Sequence, residues 1–409
     1  MVRTSLATVL ICLLAVAPEA QASGASDLQI IVSKKNQSLA VYQGDTMIAS
    51  SRVSTGKEGH LTPSGIFSVI EKQEYHESNL YSNAPMPWMQ RITWSGFALH
   101  EASSVPNYPA SHGCVRLPAA FARKLYDLTE LGAHVLITGQ EEKPYAFSHA
   151  NLFTPQRDRT ELFADLKLRG ANWPLRSGIV EVAMLDVPHS AMTAPETADE
   201  ERKAISILIT LRGEKEKLKD IQALLLSMGF DTGGVDGIAG SMTRDAILGF
   251  KRWKKLPLSG PMLSEAFVKS LYGAAGQELP PAGQIFVREN FKPLFDAPIT
   301  IDYPDQPLGT YFLEATKMNP EQGEVQWHAV TLEPADAAMS GKSIVKVAET
   351  KRDGLTADLD RMTIPPEIRS RIEKKMGEGT SLIITDQGYG KETGVGTDFT
   401  ILLPGDAKN

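Results

Sequence analysis

Cysteine is nearly absent from this 409-residue chain, which has two, Cys12 and Cys114. A disulfide framework is thereby excluded. An excess of positive charge is absent as well: the formal net charge is −7. A surface of that sign does not offset phosphate repulsion, which argues against nucleic acid as a partner. Apolar runs long enough to span a bilayer comfortably are also missing. So are a phosphate-cradling glycine loop, a zinc helix with two histidines and a paired-carboxylate signature, and neither metal nor cofactor is expected. What remains is 42% hydrophobic and 22% charged residues, the balance of a globular protein, in a length that suits two or three domains.

The N-terminus reads as a leader. Arg3, an apolar run from about Leu6 to Ala17 and small residues at Ala20 and Ala22 have the form of a secretory signal peptide over 1–22. A retained N-terminal anchor is the alternative. Bulky Leu10 and Ile11 precede Cys12, which argues against a lipid there. Cleavage after Ala22 removes Arg3 and Glu19, so the net charge stays −7, and leaves Cys114 as the one cysteine. An exported protein with a lone thiol either buries it as a small apolar filler or uses it as a nucleophile. The expected location is the periplasm or cell envelope.

The rest divides by pattern into a multidomain α+β chain. Residues 27–140 read as short alternating strands, with one helix around Phe121, Leu125 and Leu128 stopped near Gly132. Residues 141–204 read as a linker or extension, with a strand in "SGIVEVAMLDV". Residues 205–275 read as a small three-helix module, its first stripe being Leu218, Ile221, Leu225 and Met228. Residues 280–405 read as a C-terminal β-rich domain that echoes the first. "GQIFVRENFKPLFD" is similar to "LQIIVSKKNQSLAVYQ", and "QPLGTYFLEA" to "TPSGIFSVIE". "WHAVTLE" matches "WSGFALHE", "TIPPEIRSRIEKK" matches "RLPAAFARKLYDL", and "GTSLIITDQ" matches "GAHVLITGQ". The shared order suggests a decayed repeat. It has no cysteine, and Leu332 or Glu333 falls where His100 would.

One stretch carries the chemistry: "LHEASSVPNYPASHGCVRLP", residues 99–118. A thiol attacks as thiolate, so a cysteine nucleophile needs a base in reach and a group to orient that base. His100 ends an expected strand; a turn-rich loop and a return bring Cys114 back to it. Gly113 permits close backbone approach and an unusual φ. The N–H groups of Gly113 and Cys114 are candidate oxyanion donors. Ser111 or the carbonyl of Glu101 is placed to hold the His100 ring. Arg116 offers a fork for a substrate carboxylate. His112 is the alternative base, and its closeness to the turn favours a packing role. Tyr81 and Trp88, in "YSNAPMPWMQR", are candidates for one wall of a substrate groove.

"SHGCVRL", with ten residues between His100 and Ser111, resembles the signature of the L,D-transpeptidase (YkuD) family. The resemblance covers residues 27–140 and implies a β-rich catalytic domain. It implies that Cys114 attacks the third-residue carbonyl of a peptidoglycan stem tetrapeptide, at its L-centre, and releases D-alanine. His100 would be the base, and Gly113 with Cys114 the oxyanion hole. Ser111, His112 and Arg116 would be supporting residues. The acyl group would pass to an amine, in peptidoglycan or in a cell-envelope protein, and carbapenems would be covalent inhibitors. Many members carry glycine after the base; here it is Glu101, which leaves open what orients His100.

The helical module resembles the peptidoglycan-binding domain type 1 at Ile221, Gln222, Leu225, Gly229, Phe230, Val235, Asp236, Gly237, Gly240, Thr243, Ala246 and Phe250. It implies glycan or stem peptide as partner. Two other readings stand beside a transpeptidase. One uses water as acceptor, an L,D-carboxypeptidase or amidase. The other is a non-catalytic wall-binding protein.

Overall fold

The computed structural model describes residues 28–78, 83–156, 204–332, 344–394 and 396–404. The expected leader, Tyr81 and the strand expected in 177–187 lie outside them.

The first unit is built on β1 (Leu28–Ser33), which is buried at every position. The half-wet alternation expected from the sequence does not hold there, because both faces of the strand are covered. Ile30 and Val32 enter one core with Val41 and Phe67. Ile31 enters another, with residues from the far end of the chain. β1 pairs with β2 (Ser38–Gln43), and β2 with β3 (Thr46–Arg52), both antiparallel. On the other side of β1 lies β9 (His134–Thr138), parallel, and then β4 (Gly65–Ser68), antiparallel to β9. The edge of β4 is taken by β18 (Ile401–Leu402). A smaller sheet runs in order β5 (Glu71–Gln73), β6 (Met89–Arg91), β7 (Ala98–Glu101), β8 (Val115–Leu117). α1 (Ala119–Leu128) follows and lays Ala122 and Leu125 on the first core. It stops at Thr129, before Gly132, because the Thr129 N–H and hydroxyl both bond to the Leu125 carbonyl.

β10 (Tyr145–Phe147) leaves this unit for a second sheet, so of the linker or extension expected after 140 the described start is structured as an extension. That sheet also contains β11 (Ile205–Leu211), β12 (Gly283–Glu289), β13 (Lys292–Ile301), β14 (Thr310–Asn319), β15 (Glu324–Leu332), β16 (Met362–Thr363) and β17 (Ser381–Ile384). The helical module therefore starts later than 205. Ile205–Leu211 is a central strand between β12 and β17, and its apolar run suits burial on both faces. α2 (Glu214–Ser227), α3 (Ser241–Trp253) and α4 (Glu265–Ala275) form an insert between β11 and β12, with a core of their own around Leu225, Phe250 and Phe267. α5 (Ile344–Asp360) and α6 (Pro366–Lys375) complete the second unit.

The two units share a pairing plan. β11, β12 and β13 pair in series, β17 lies parallel to β11, and β14 lies antiparallel to β17. That is the plan of β1, β2, β3, β9 and β4. Two of the five segment matches are corrected by it. "GQIFVRE" is the counterpart of β2, and β11 that of β1. "WHAVTLE" lies in β15, which pairs with β14 as β6 pairs with β5, the continuation of β4. β10 lies antiparallel on β15, where β7 lies on β6. The strand that carries His100 thus has its place filled from outside the second unit. α1 and α6 both begin on a proline, Pro118 and Pro365. Thr363 pairs with Thr300 as Arg116 bridges Ser54. Counting back two residues from each puts Arg361 at the place of Cys114. Its guanidinium pairs with Asp358 and clasps the carbonyls of Asp302, Tyr303 and Gln306.

The two large sheets stack through Ile31, Ile66 and Leu136 on one side and Leu208, Phe312 and Ile383 on the other. A polar group sits in this layer. His134 lies 3.6 Å from the Glu314 carboxylate and 3.7 Å from that of Asp398. Gln29 donates to Glu314 at 2.8 Å, and Ser206 donates to Asp398 at 2.5 Å. Burial alone would lower the His134 pKa, but the two carboxylates outweigh it and push it up to about 9. His134 is therefore charged when folded at neutral pH, and its stabilisation is full below its ordinary value near 6.5. Stability should fall as pH rises from about 6.5 and lose this contribution above about 9. Thermal melts of wild type and His134→Gln across pH 6–10 check this: the wild type loses Tm over that span, and the variant, lower at pH 6, shows a flatter profile.

Candidate active site

β7 and β8 are parallel, with Leu99 opposite Val115 and His100 opposite Arg116. The turn-rich loop between them is thus a crossover, as parallel neighbours require. Strand alternation then sorts the side chains. Leu99, Val115 and Leu117 go to the core. Ala98 and Cys114 share a small cluster on the other face with Met86 and Met89. A cavity of about 160 Å³ opens on that face, and His100, Ser111, His112, Cys114 and Arg116 all line it.

The backbone around Cys114 is held from two sides. Ser111, fully buried, donates its hydroxyl to the Cys114 carbonyl at 2.5 Å and accepts the Gly113 N–H at 3.1 Å. The Gly113 N–H is therefore engaged, which departs from the oxyanion role expected for it. From the loop between β3 and β4, Thr62 donates to the Gly113 carbonyl at 2.6 Å and accepts the Gly56 N–H at 2.8 Å. Gly113 has φ +119°, and an added Cβ would stand 2.5 Å from Phe97 Cε1. Both facts require glycine.

His100 is buried, and its Nδ1 lies 2.6 Å from the Glu101 carbonyl. A carbonyl only accepts, so Nδ1 carries the hydrogen and Nε2 has the lone pair. The orienting group is thus backbone, and the identity of side chain 101 is immaterial to it; Ser111 holds Cys114 instead of the ring. Burial lowers the His100 pKa to about 4, against the raising effect of the Glu101 carbonyl. Burial likewise raises the Cys114 thiol, although the Ala98 backbone contact and the Arg91 and Arg116 charges pull it down. The thiol also points to the Gly96 carbonyl at 3.6 Å. At neutral pH the pair is a neutral thiol and a neutral imidazole.

The description L,D-transpeptidase catalytic domain (YkuD) matches residues 27–137, and a peptidoglycan binding domain matches 214–262. YqjB of Bacillus subtilis (strain 168), which carries the name of an L,D-transpeptidase, is 30% identical over 149 residues, 32% of this chain and 83% of YqjB. The chain belongs to the L,D-transpeptidase family. A solved L,D-transpeptidase from Stackebrandtia nassauensis is 27% identical, over 28% of this chain and 57% of that one, with a TM-score of 0.26. One from Xylanimonas cellulosilytica is 28% identical, over 27% and 59%, with a TM-score of 0.25. This chain spans a little over half the length of those structures.

One further expectation for this L,D-transpeptidase-family site resolves differently. Trp88 does not line the cavity; its ring meets Tyr126 at 5.4 Å and the Arg123 guanidinium at 5.4 Å, beside α1. His112 is exposed, edge-on to His60 at 4.7 Å. Sequence reasoning missed the opposite wall, where Arg91 pairs with Glu71 and His76 stands beside it. It also missed Thr62, which opens the segment "TPSGIFSVIE". Two outcomes are expected. Alkylation of Cys114 by iodoacetamide, followed by intact mass, should be slow at pH 7 and rise monotonically beyond pH 9; a plateau reached by pH 7 would contradict a neutral thiol. Gly113→Ala should lower that reactivity or deform the site, and Phe97→Ala added to it should not restore it, because the φ is unchanged.

Proposed function

We propose that this chain is an exported cysteine L,D-transpeptidase acting on peptidoglycan stem tetrapeptides. The observation that carries this reading is one cavity lined by both His100 and Cys114, with the His100 ring held by the Glu101 carbonyl through Nδ1. That leaves Nε2 as the proton acceptor. When a stem peptide carbonyl enters, the Cys114 proton passes to Nε2 and sulfur bonds to the carbonyl carbon. The carbonyl oxygen becomes an oxyanion, with the Cys114 N–H as the remaining expected donor. On collapse the C–N bond breaks, and the imidazolium returns its proton to the departing D-alanine amine. The thioester is then attacked by an acceptor amine, which gives its proton to His100, and the thiol is regenerated. Arg116 in the cavity suits a substrate carboxylate.

The helical insert would hold the enzyme on the wall. Its Gln222 bonds Asp236, Ile238 and Thr243 and so builds a turn; exposed Trp253 is the better candidate for a sugar face. The second unit, with Arg361 at the cysteine's place, would be a decayed copy of the catalytic one that no longer does thiol chemistry. Peptidoglycan as substrate would put the protein in the cell envelope. Carbapenems, as strained acylating lactams, are expected covalent inhibitors.

Wild type incubated with stem tetrapeptide should release D-alanine and carry a thioester mass at Cys114. Cys114→Ala should do neither, and His100→Ala should acylate roughly 100-fold more slowly or worse. A folded wild type that never forms an adduct with tetrapeptide or a carbapenem would refute the reading. Adding a diaminopimelate-containing acceptor distinguishes amine transfer from hydrolysis.

A further inference from the structure

The turn between β6 and β7 supplies part of the reactive cavity. Ser95, Gly96 and Phe97 line it, the Gly96 carbonyl faces the Cys114 thiol, and the Phe97 ring packs on Gly113. The turn is tied internally by Gly96 N–H to the Thr93 carbonyl and by Phe97 N–H to the Thr93 hydroxyl. At its outer side two backbone N–H groups, of Trp94 and Ser95, would otherwise face solvent. Both instead donate to one carboxylate, that of Glu392, at 2.9 and 3.1 Å. Each carboxylate oxygen takes one N–H, which fixes the turn against twisting as well as displacement.

Glu392 comes from the last part of the chain, after β17. Its own backbone is anchored. The Thr397 hydroxyl donates to the Glu392 carbonyl at 2.8 Å, and the Gly394 N–H donates to that hydroxyl at 2.7 Å. Arg288, on β12, donates to the carbonyls of Gly394 and Thr397 at 2.5 and 3.0 Å. Just beyond, β18 pairs with β4. The carboxylate is therefore presented from a frame that belongs to both units.

We infer that Glu392 is a positioning residue for Cys114: the C-terminal segment clamps the Trp94–Ser95 turn and so holds the Gly96 carbonyl and the Phe97 ring against the thiol and its glycine. Glu392 touches neither thiol nor substrate and acts through the turn. The inference about catalytic rate rests on the transpeptidase reading, whereas the inference about the thiol does not.

The test uses the full chain with Glu392→Ala, Glu392→Gln and Glu392→Asp. A carbonyl that accepts from the neutral thiol disfavours the thiolate, so loosening the turn should lower the thiol pKa. In Glu392→Ala, iodoacetamide alkylation of Cys114 should therefore rise severalfold at pH 8 and its pH midpoint move down. With tetrapeptide, kcat should fall about 10-fold with KM nearly unchanged, since a displaced nucleophile loses attack geometry and not substrate contacts. Glu392→Gln should behave like Ala, because its amide offers one acceptor where two are needed, and Glu392→Asp should recover part of the effect. An alkylation profile in Glu392→Ala that overlays wild type overturns the inference, as does a loss of kcat that only follows a loss of Tm and that Asp does not relieve. If wild type shows no turnover while the alkylation shift appears, the transpeptidase reading fails and the positioning role stands.

Discussion

The stacking of two sheets through Ile31, Leu136, Leu208, Phe312 and Ile383 is the constraint on which the rest depends. It buries the second face of the first sheet, so β1 is apolar on both sides and cannot stand alone in water. It places His134, Glu314 and Asp398 where only mutual pairing makes their burial tolerable. It also brings the end of the chain back to the first unit. β18 covers the edge of β4, and the loop before it reaches the turn that walls the cavity. A free edge would be a site for unwanted pairing, so β18 also closes a liability.

The site shows a second economy of means. Its orienting groups are backbone: the Glu101 carbonyl for His100, the Gly96 carbonyl for the thiol. Side chains serve mainly to fix that backbone, Ser111 from inside the loop and Thr62 from across it. Burial then keeps both reacting groups neutral at rest. A neutral pair resists stray oxidation and alkylation, because the thiolate is the reactive form, and proton transfer waits for a substrate carbonyl.

Much of this was legible in the sequence. The loop before Cys114 announced its chemistry because Gly113 and Ser111 are needed for local geometry, and local geometry leaves local spacing. The strands of the first unit and the helices of the insert were legible from turns and periodicity. β11 was misassigned because "ISILITL" runs almost directly into the charged start of α2, and a short apolar run has no period to separate it from a buried helix turn. Trp88 was misassigned because an aromatic among prolines reads the same whether it faces a groove or a helix. The echo between the units was legible as order, and its register was not, since apolar strands of similar length match one another at several offsets. Glu392 left no trace: a carboxylate that recognises backbone N–H groups on a turn 297 residues away imposes no pattern on either segment.

The shared stack makes the two sheet units and the cavity one cooperative body. Native-state hydrogen exchange in rising denaturant tests it most directly, read at the amides of β9 and β17 together with the accessibility of the Cys114 thiol. Both strands are expected to exchange through the same opening, and Cys114 to become freely alkylated in it. Exchange of β17 at much lower denaturant, with β9 protected and Cys114 reactivity unaltered, would contradict it.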